Sequence, residues 1–225
     1  MSENNLSYSS RKNNKFIRHE PCPSCGSKDN LARYSDNSAY CFGCHYTTKN
    51  NGTSIVQPTK RNMEFKEGEY KHLKKRKLSS ETLRKFNYKI NKAVHIANYY
   101  NSNRELVAQH TRNSNKDFKW IGNINDIELF GQHLWRDGGK QVVVTEGEID
   151  CMTVSQYVFN NKWPVVSIPS GVQSAAKFVA KNIEWLELHE SVVFCFDNDA
   201  PGKEAAIKCA SLLTPSKAKI VSLPL

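Results

Sequence analysis

No run in this 225-residue chain approaches the roughly 18 consecutive apolar residues that a membrane-spanning helix needs. The amino-terminal stretch MSENNLSYSSRKNNK has no apolar segment, which argues against a secretory signal and predicts an intracellular, cytoplasmic protein. Acidic residues are scarce in the first 139 positions, with 13 against 24 Lys and Arg, whereas residues 140–225 carry 9 against 8. The basic charge therefore belongs almost entirely to the amino-terminal part. Such a surface predicts a nucleic-acid partner. The near-balanced second part suits a site built for cations instead. Seven cysteines in a reducing compartment do not read as a disulfide framework.

Four of those cysteines follow a strict spacing. Cys22, Cys25, Cys41 and Cys44 form C-x2-C-x15-C-x2-C. Each pair puts two thiolates on one turn, and a hairpin brings the pairs together around a tetrahedral ion, which predicts one structural zinc. A closed four-thiolate site has no open position for catalysis, so the module reads as a binding element. Arg33 and Tyr40 on the intervening hairpin are candidates for contacting nucleic acid.

The organisation expected from composition is a polar tail (1–18), a zinc ribbon (19–48), a flexible linker (49–64), a basic α+β subdomain (65–139) and an α/β domain (140–225). Residues 65–92 hold ten Lys and Arg against three acids, including Lys74, Lys75, Arg76 and Lys77. Ser79 or Ser80 is placed to cap a helix running to Phe86. Strands are expected at 93–99, 105–111 and 118–121. In the last part QVVVT (141–145), VVSI (165–168), VVFCF (192–196) and KIVSL (219–223) alternate with helical patterns at 150–159, 174–188 and 202–213. That alternation predicts a parallel sheet with helices on both faces.

Ligands gather beyond the carboxyl ends of parallel strands. Two such ends are acidic here: QVVVT runs into Glu146-Gly147-Glu148-Ile149-Asp150, and VVFCF into Asp197-Asn198-Asp199. If those strands are neighbours, Glu146, Asp150, Asp197 and Asp199 form a cluster of hard oxygen donors suited to Mg²⁺ or Mn²⁺. The competing reading is that the acids simply cap helices.

T-E-G-E-x-D after one strand and D-x-D after a later one resemble the TOPRIM domain of bacterial-type primases, topoisomerases and some nucleases. With a four-cysteine ribbon, a linker and a basic subdomain in front, the order resembles the primase half of short-tailed-phage primase–helicases. VAQHTR (107–112), KDFKWIG (116–122), LFGQHLW (129–135) and VVVTEGEIDCMTV (142–154) carry the likeness. It implies a DNA-dependent RNA polymerase making short primers on single-stranded DNA from ribonucleoside triphosphates, with two catalytic metal ions, Mg²⁺ or Mn²⁺. A replicative helicase and a DNA polymerase are the implied partners. By the same resemblance Glu146 is the catalytic glutamate and Lys116 handles nucleotide phosphate. Arg112, Lys119 and the 74–77 run are expected to meet phosphates as well.

The sequence departs from the family at three points. His110 stands where a second family lysine is expected, Ser38 stands where a template-reading histidine is expected, and no Walker-type nucleotide loop occurs, so no helicase activity is expected of this chain. The alternative reading is a non-catalytic recombination mediator of the RecR type, which also joins a four-cysteine site to TOPRIM. A long basic segment between the two favours the primase.

Overall fold

The computed structural model describes residues 15–24, 26–42, 46–48, 64–115 and 117–221, with the backbone alone at 55–56. The chain divides into two compact units, 1–63 and 64–225.

In the first unit, β1 (Phe16–Glu20), β2 (Leu31–Tyr34), β3 (Ala39–Cys41), β4 (Thr47–Thr48) and β5 (Ile55–Val56) form an antiparallel sheet in sequence order. The β2–β3 turn forms because the Asp36 carboxylate accepts the Ser38 N–H at 2.9 Å, while Asn37 takes a left-handed conformation that short polar side chains tolerate. Cys22, Leu31, Ala39 and Cys41 make a minimal core, with Tyr46 packed against it. Residues 16–18, expected in the polar tail, pair instead with β2 as part of β1.

The second unit opens with α1 (Ser80–Lys85), whose first turn is closed by the Ser79 hydroxyl accepting the Thr82 N–H at 3.1 Å. An antiparallel meander follows: β6 (Tyr88–Asn91), β7 (Val94–Tyr100), β8 (Leu106–Arg112) and β9 (Phe118–Gly122). Next come β10 (Gly139–Thr145), α2 (Glu148–Tyr157), β11 (Val165–Ser167), α3 (Ala175–Lys181), α4 (Ile183–Glu187), β12 (His189–Cys195), α5 (Ala200–Ala210) and β13 (Ala218–Ile220). The strands lie in the order β11-β10-β12-β13, all parallel. The expected 174–188 helix is two helices, because Asn182 leaves helical geometry and its amide donates back to the Phe178 carbonyl at 2.9 Å.

Consecutive valines are the reason β10 is central. Val142, Val143 and Val144 are all buried, so both sheet faces are covered, and each contributes about 1.5–3 kcal/mol by leaving water. The meander and the parallel sheet share one core, in which Phe86 stacks on Phe130 at 5.7 Å and Tyr99 packs against Phe130 at 5.5 Å. An antiparallel bridge between Phe130 and Ser167 ties the segment before β10 to strand β11.

Candidate active site

Strands β10 and β12 are hydrogen-bonded neighbours in parallel register, with Thr145 opposite Cys195. Their carboxyl ends therefore release the two acidic loops side by side. Glu146, Asp150 and Asp197 line one cavity of about 500 Å³, together with Glu148, Arg76, His110 and Arg112. The Asp197 N–H donates to the Glu146 carboxylate at 3.4 Å. Burial, then the charge of Asp197, raises the Glu146 carboxyl above the ordinary range. The same two causes raise Asp150, partly offset by Arg76.

Asp199 is positioned differently. It is the N-cap of α5, and its carboxylate accepts the Gly202 N–H at 2.8 Å. Its charge still adds to the repulsion felt by Glu146. Gly202 is obligatory: a Cβ there would stand 2.2 Å from the Asp197 carbonyl oxygen. The acid loop and the helix start are thus packed backbone against backbone.

The facing wall is the meander. Along β8 and β9 the side chains of His110, Arg112, Phe118 and Trp120 project to the cavity side. His110 stacks between Trp120 (4.4 Å, 12°) and Phe118 (5.3 Å, 21°), and the Arg112 guanidinium lies 5.2 Å above Phe118. The His110 Nδ1 donates to Glu148 Oε1 at 2.7 Å, and the Tyr99 hydroxyl donates to the same oxygen at 2.8 Å. Complete burial, followed by the Glu148 charge, pushes the Tyr99 phenol well up and keeps it a donor. Glu148 is a residue that sequence reasoning passed over. It lies inside the T-E-G-E-x-D motif, but only the side-chain hydrogen bonds from β7 and β8 to the start of α2 reveal its partners.

Of the basic candidates, Arg76 and Arg112 reach the cavity. Lys74, Lys75 and Lys77 are exposed around a short 3-10 turn and do not line it. Lys119 alternates with Phe118 and Trp120 and is likewise absent from the cavity wall. Lys116, Cys25 and Cys44 lie outside the described residues. In the first unit, Arg33 is paired with Glu20, donating from Nε at 2.8 Å, and Tyr40 packs edge-on to Phe42 at 5.0 Å.

The donor set fits divalent ions only in part. Among the described residues, no three His, Cys, Asp or Glu converge closely enough to hold an ion unaided. Yet the gathered carboxylates repel one another, and a cation would relieve that. Magnesium is commonly held by one or two carboxylates plus substrate phosphates, and Glu146, Asp150 and Asp197 suit that arrangement. Near the zinc candidates, the Gly26 N–H donates to the Cys22 carbonyl at 2.9 Å, and the Cys41 N–H donates to the Tyr46 carbonyl at 2.8 Å. Both thiols are buried.

Residues 68–122 match the family described as the bacteriophage T7 DNA helicase/primase N-terminal a+b fold, and residues 143–225 match the Toprim-like family. A primase fragment of the bacteriophage T7 primase-helicase protein is 34% identical, superposes with a TM-score of 0.68, and is matched over 93% of this chain and 91% of its own. The chain belongs to the T7-type phage primase family. The DNA helicase/primase of Enterobacteria phage T3 is 35% identical over 93% of this chain. This member of the family spans 40% of the length of that curated relative. T7 primase domains bound to an RNA/DNA hybrid and dTTP beside a DNA polymerase are 38% identical, with a TM-score of 0.64 over 70% of this chain and 82% of theirs. The DnaG catalytic core, at 16% identity and a TM-score of 0.53, shares the fold.

Proposed function

We propose that this chain is a DNA primase, synthesising short RNA primers on single-stranded DNA by nucleotidyl transfer. The observation that carries the reading is the union, in one cavity, of strand-end acids (Glu146, Asp150, Asp197) with the basic and aromatic wall of β8 and β9. The family resemblance of the whole described core supports it.

In the proposed reaction a 3′-hydroxyl oxygen bonds to the α-phosphorus of an incoming ribonucleotide, and the bond to the pyrophosphate oxygen breaks. Glu146 is the assigned acceptor of the hydroxyl proton, because it lines the cavity at the carboxyl end of β10 beside Asp197. Divalent ions held by Glu146, Asp150 and Asp197, with Asp199 contributing charge, would neutralise the phosphates and lower the hydroxyl pKa. Arg112 and Arg76 orient phosphate oxygens, and Lys116 is assigned the same task from the family motif. Lys74, Lys75, Lys77 and Lys119 are assigned to a more distant template track, whose binding weakens with salt. Cys22, Cys25, Cys41 and Cys44 would hold one structural zinc, and Arg33 and Tyr40 of that ribbon would contact template. A helicase and a DNA polymerase are the proposed partners, and the host cytoplasm the proposed compartment. Among the described residues, no helix is long and apolar enough to cross a membrane. The recombination-mediator reading loses support because residues 68–122 match the primase family.

The test is an assay with single-stranded DNA, labelled ribonucleotides and Mg²⁺. Wild type should yield short RNA, and Glu146→Gln and Asp197→Asn should each lose at least about a hundredfold, the scale of a lost general base. DNA binding without product from wild type would overturn the proposal.

A further inference from the structure

The amino ends of the same parallel strands form a second concavity, of about 520 Å³, which the reaction above does not use. Strand β10 has seven residues, so this site lies roughly 20 Å from the acids at the other end. Arg136, Lys140 and Lys162 line it, and no acid does. Asp137 is adjacent in sequence but is not part of the lining.

Two indoles complete the site. Trp135 is a fixed wall: its Nε1 donates to the Val165 carbonyl at 3.1 Å, and the Lys85 ammonium sits 4.3 Å over its ring. Trp163 is different, with 51% of its surface exposed at the rim. A large exposed indole costs hydration free energy unless something covers it. Gly138 and Gly139 leave the adjoining strand entrance free of side chains.

We infer that this concavity is a binding site for single-stranded nucleic acid, with a base stacked on Trp163 and flanking phosphates on Arg136, Lys140 and Lys162. Three cations without an acid select a polyanion. The open indole face selects a π-stacking one, because base–aromatic stacking with a basic groove is how single strands are held without sequence preference. An acidic peptide would satisfy the cations and leave the indole wet. The volume falls within the roughly 300–1,000 Å³ of ordinary ligand sites. The inference does not need the polymerase reading, since binding is measured without nucleotides or Mg²⁺.

The experiment labels the full chain with 5-fluorotryptophan and follows the resonances of Trp120, Trp135, Trp163 and Trp185 by fluorine NMR while a short oligodeoxythymidylate is added. The Trp163 signal should shift saturably and weaken with salt. Lys140→Glu with Lys162→Glu should raise the midpoint about tenfold or more, in line with lost phosphate contacts. Trp163→Ala should raise the midpoint for DNA binding at this site, read from the Trp135 signal, whereas Trp163→Phe should hold it within about threefold, because the stacking face is kept. Unchanged Trp120 and Trp185 signals in the free variants show that they fold, and the Ala/Phe pair decides the matter if the charge reversal does not. A stationary Trp163 signal at DNA concentrations that saturate the Trp120 shift would overturn the site. So would equal displacement by a glutamate-rich peptide or by heparin of matched charge.

Discussion

The His110 imidazole donates through Nδ1 to Glu148 Oε1 at 2.7 Å while lying nearly parallel to the Trp120 ring. One oxygen of Glu148 is thereby committed, by His110 and Tyr99 together, and the other is left to the cavity. Hydrogen bonds to a charged group are worth about 1.5–3 kcal/mol. We therefore expect His110→Ala to lower the primer-synthesis rate roughly 10- to 100-fold with little change in single-strand affinity. His110→Gln, which keeps a donor, should recover part of it. Equal loss in rate and affinity would assign His110 to template binding instead.

Glu146 and Asp150 are held protonated more readily than free carboxyls, so their charged forms oppose the fold at neutral pH. A raised folded value means that stability is lost as pH climbs through the ordinary carboxyl range. Without divalent ions, Glu146→Gln and Asp150→Asn should accordingly melt higher than wild type at pH 7 by a few degrees at most, and should match it near pH 4. About 1 kcal/mol corresponds to roughly 2–4 °C in a domain of this size. Adding Mg²⁺ should raise the wild-type melting temperature more than that of either variant. Calorimetry across pH, with and without Mg²⁺, checks both signs.

His133 stacks on Tyr100 at 3.8 Å, and burial pulls its imidazole down to about 4. A depressed histidine favours the fold while neutral, so its contribution is present above about pH 6.5 and lost as pH falls toward 4. The loss is on the order of 3 kcal/mol. His133→Phe keeps a stacking ring and removes the titration, and its denaturant midpoint should fall less between pH 7 and pH 5 than that of wild type.

All four tryptophans (Trp120, Trp135, Trp163, Trp185) belong to residues 64–225. If the proposed zinc sits on Cys22, Cys25, Cys41 and Cys44, a strong chelator should therefore unfold the first unit and leave tryptophan fluorescence unchanged. A core of four small or medium side chains and a tyrosine cannot replace the roughly 10–16 kcal/mol that such an ion supplies. Loss of the indole signal with zinc, or no change in far-ultraviolet dichroism, would contradict this.

The parallel sheet was legible from its β-branched runs, whose ends fall within three residues of the observed strand ends. The neighbouring of β10 and β12, on which the acid cluster depends, was a condition and not a deduction, because order within a sheet is a long-range property. The split at Asn182 was hidden by a continuous apolar pattern. The two roles of the D-x-D pair were hidden as well: Asp197 faces the cavity while Asp199 caps α5, so capping and clustering are both present in one tripeptide. The clamp on Glu148 joins residues 38 and 49 positions away, and no local pattern reports such a contact.

The Phe130–Ser167 bridge has a consequence for assembly. It occupies the outward hydrogen-bonding groups of Ser167 on β11, with N–H to carbonyl distances of 3.0 and 3.1 Å in the two directions. That border is capped by the chain itself at Ser167, so a strand from a partner or from misassembly finds no free backbone groups at that point of β11.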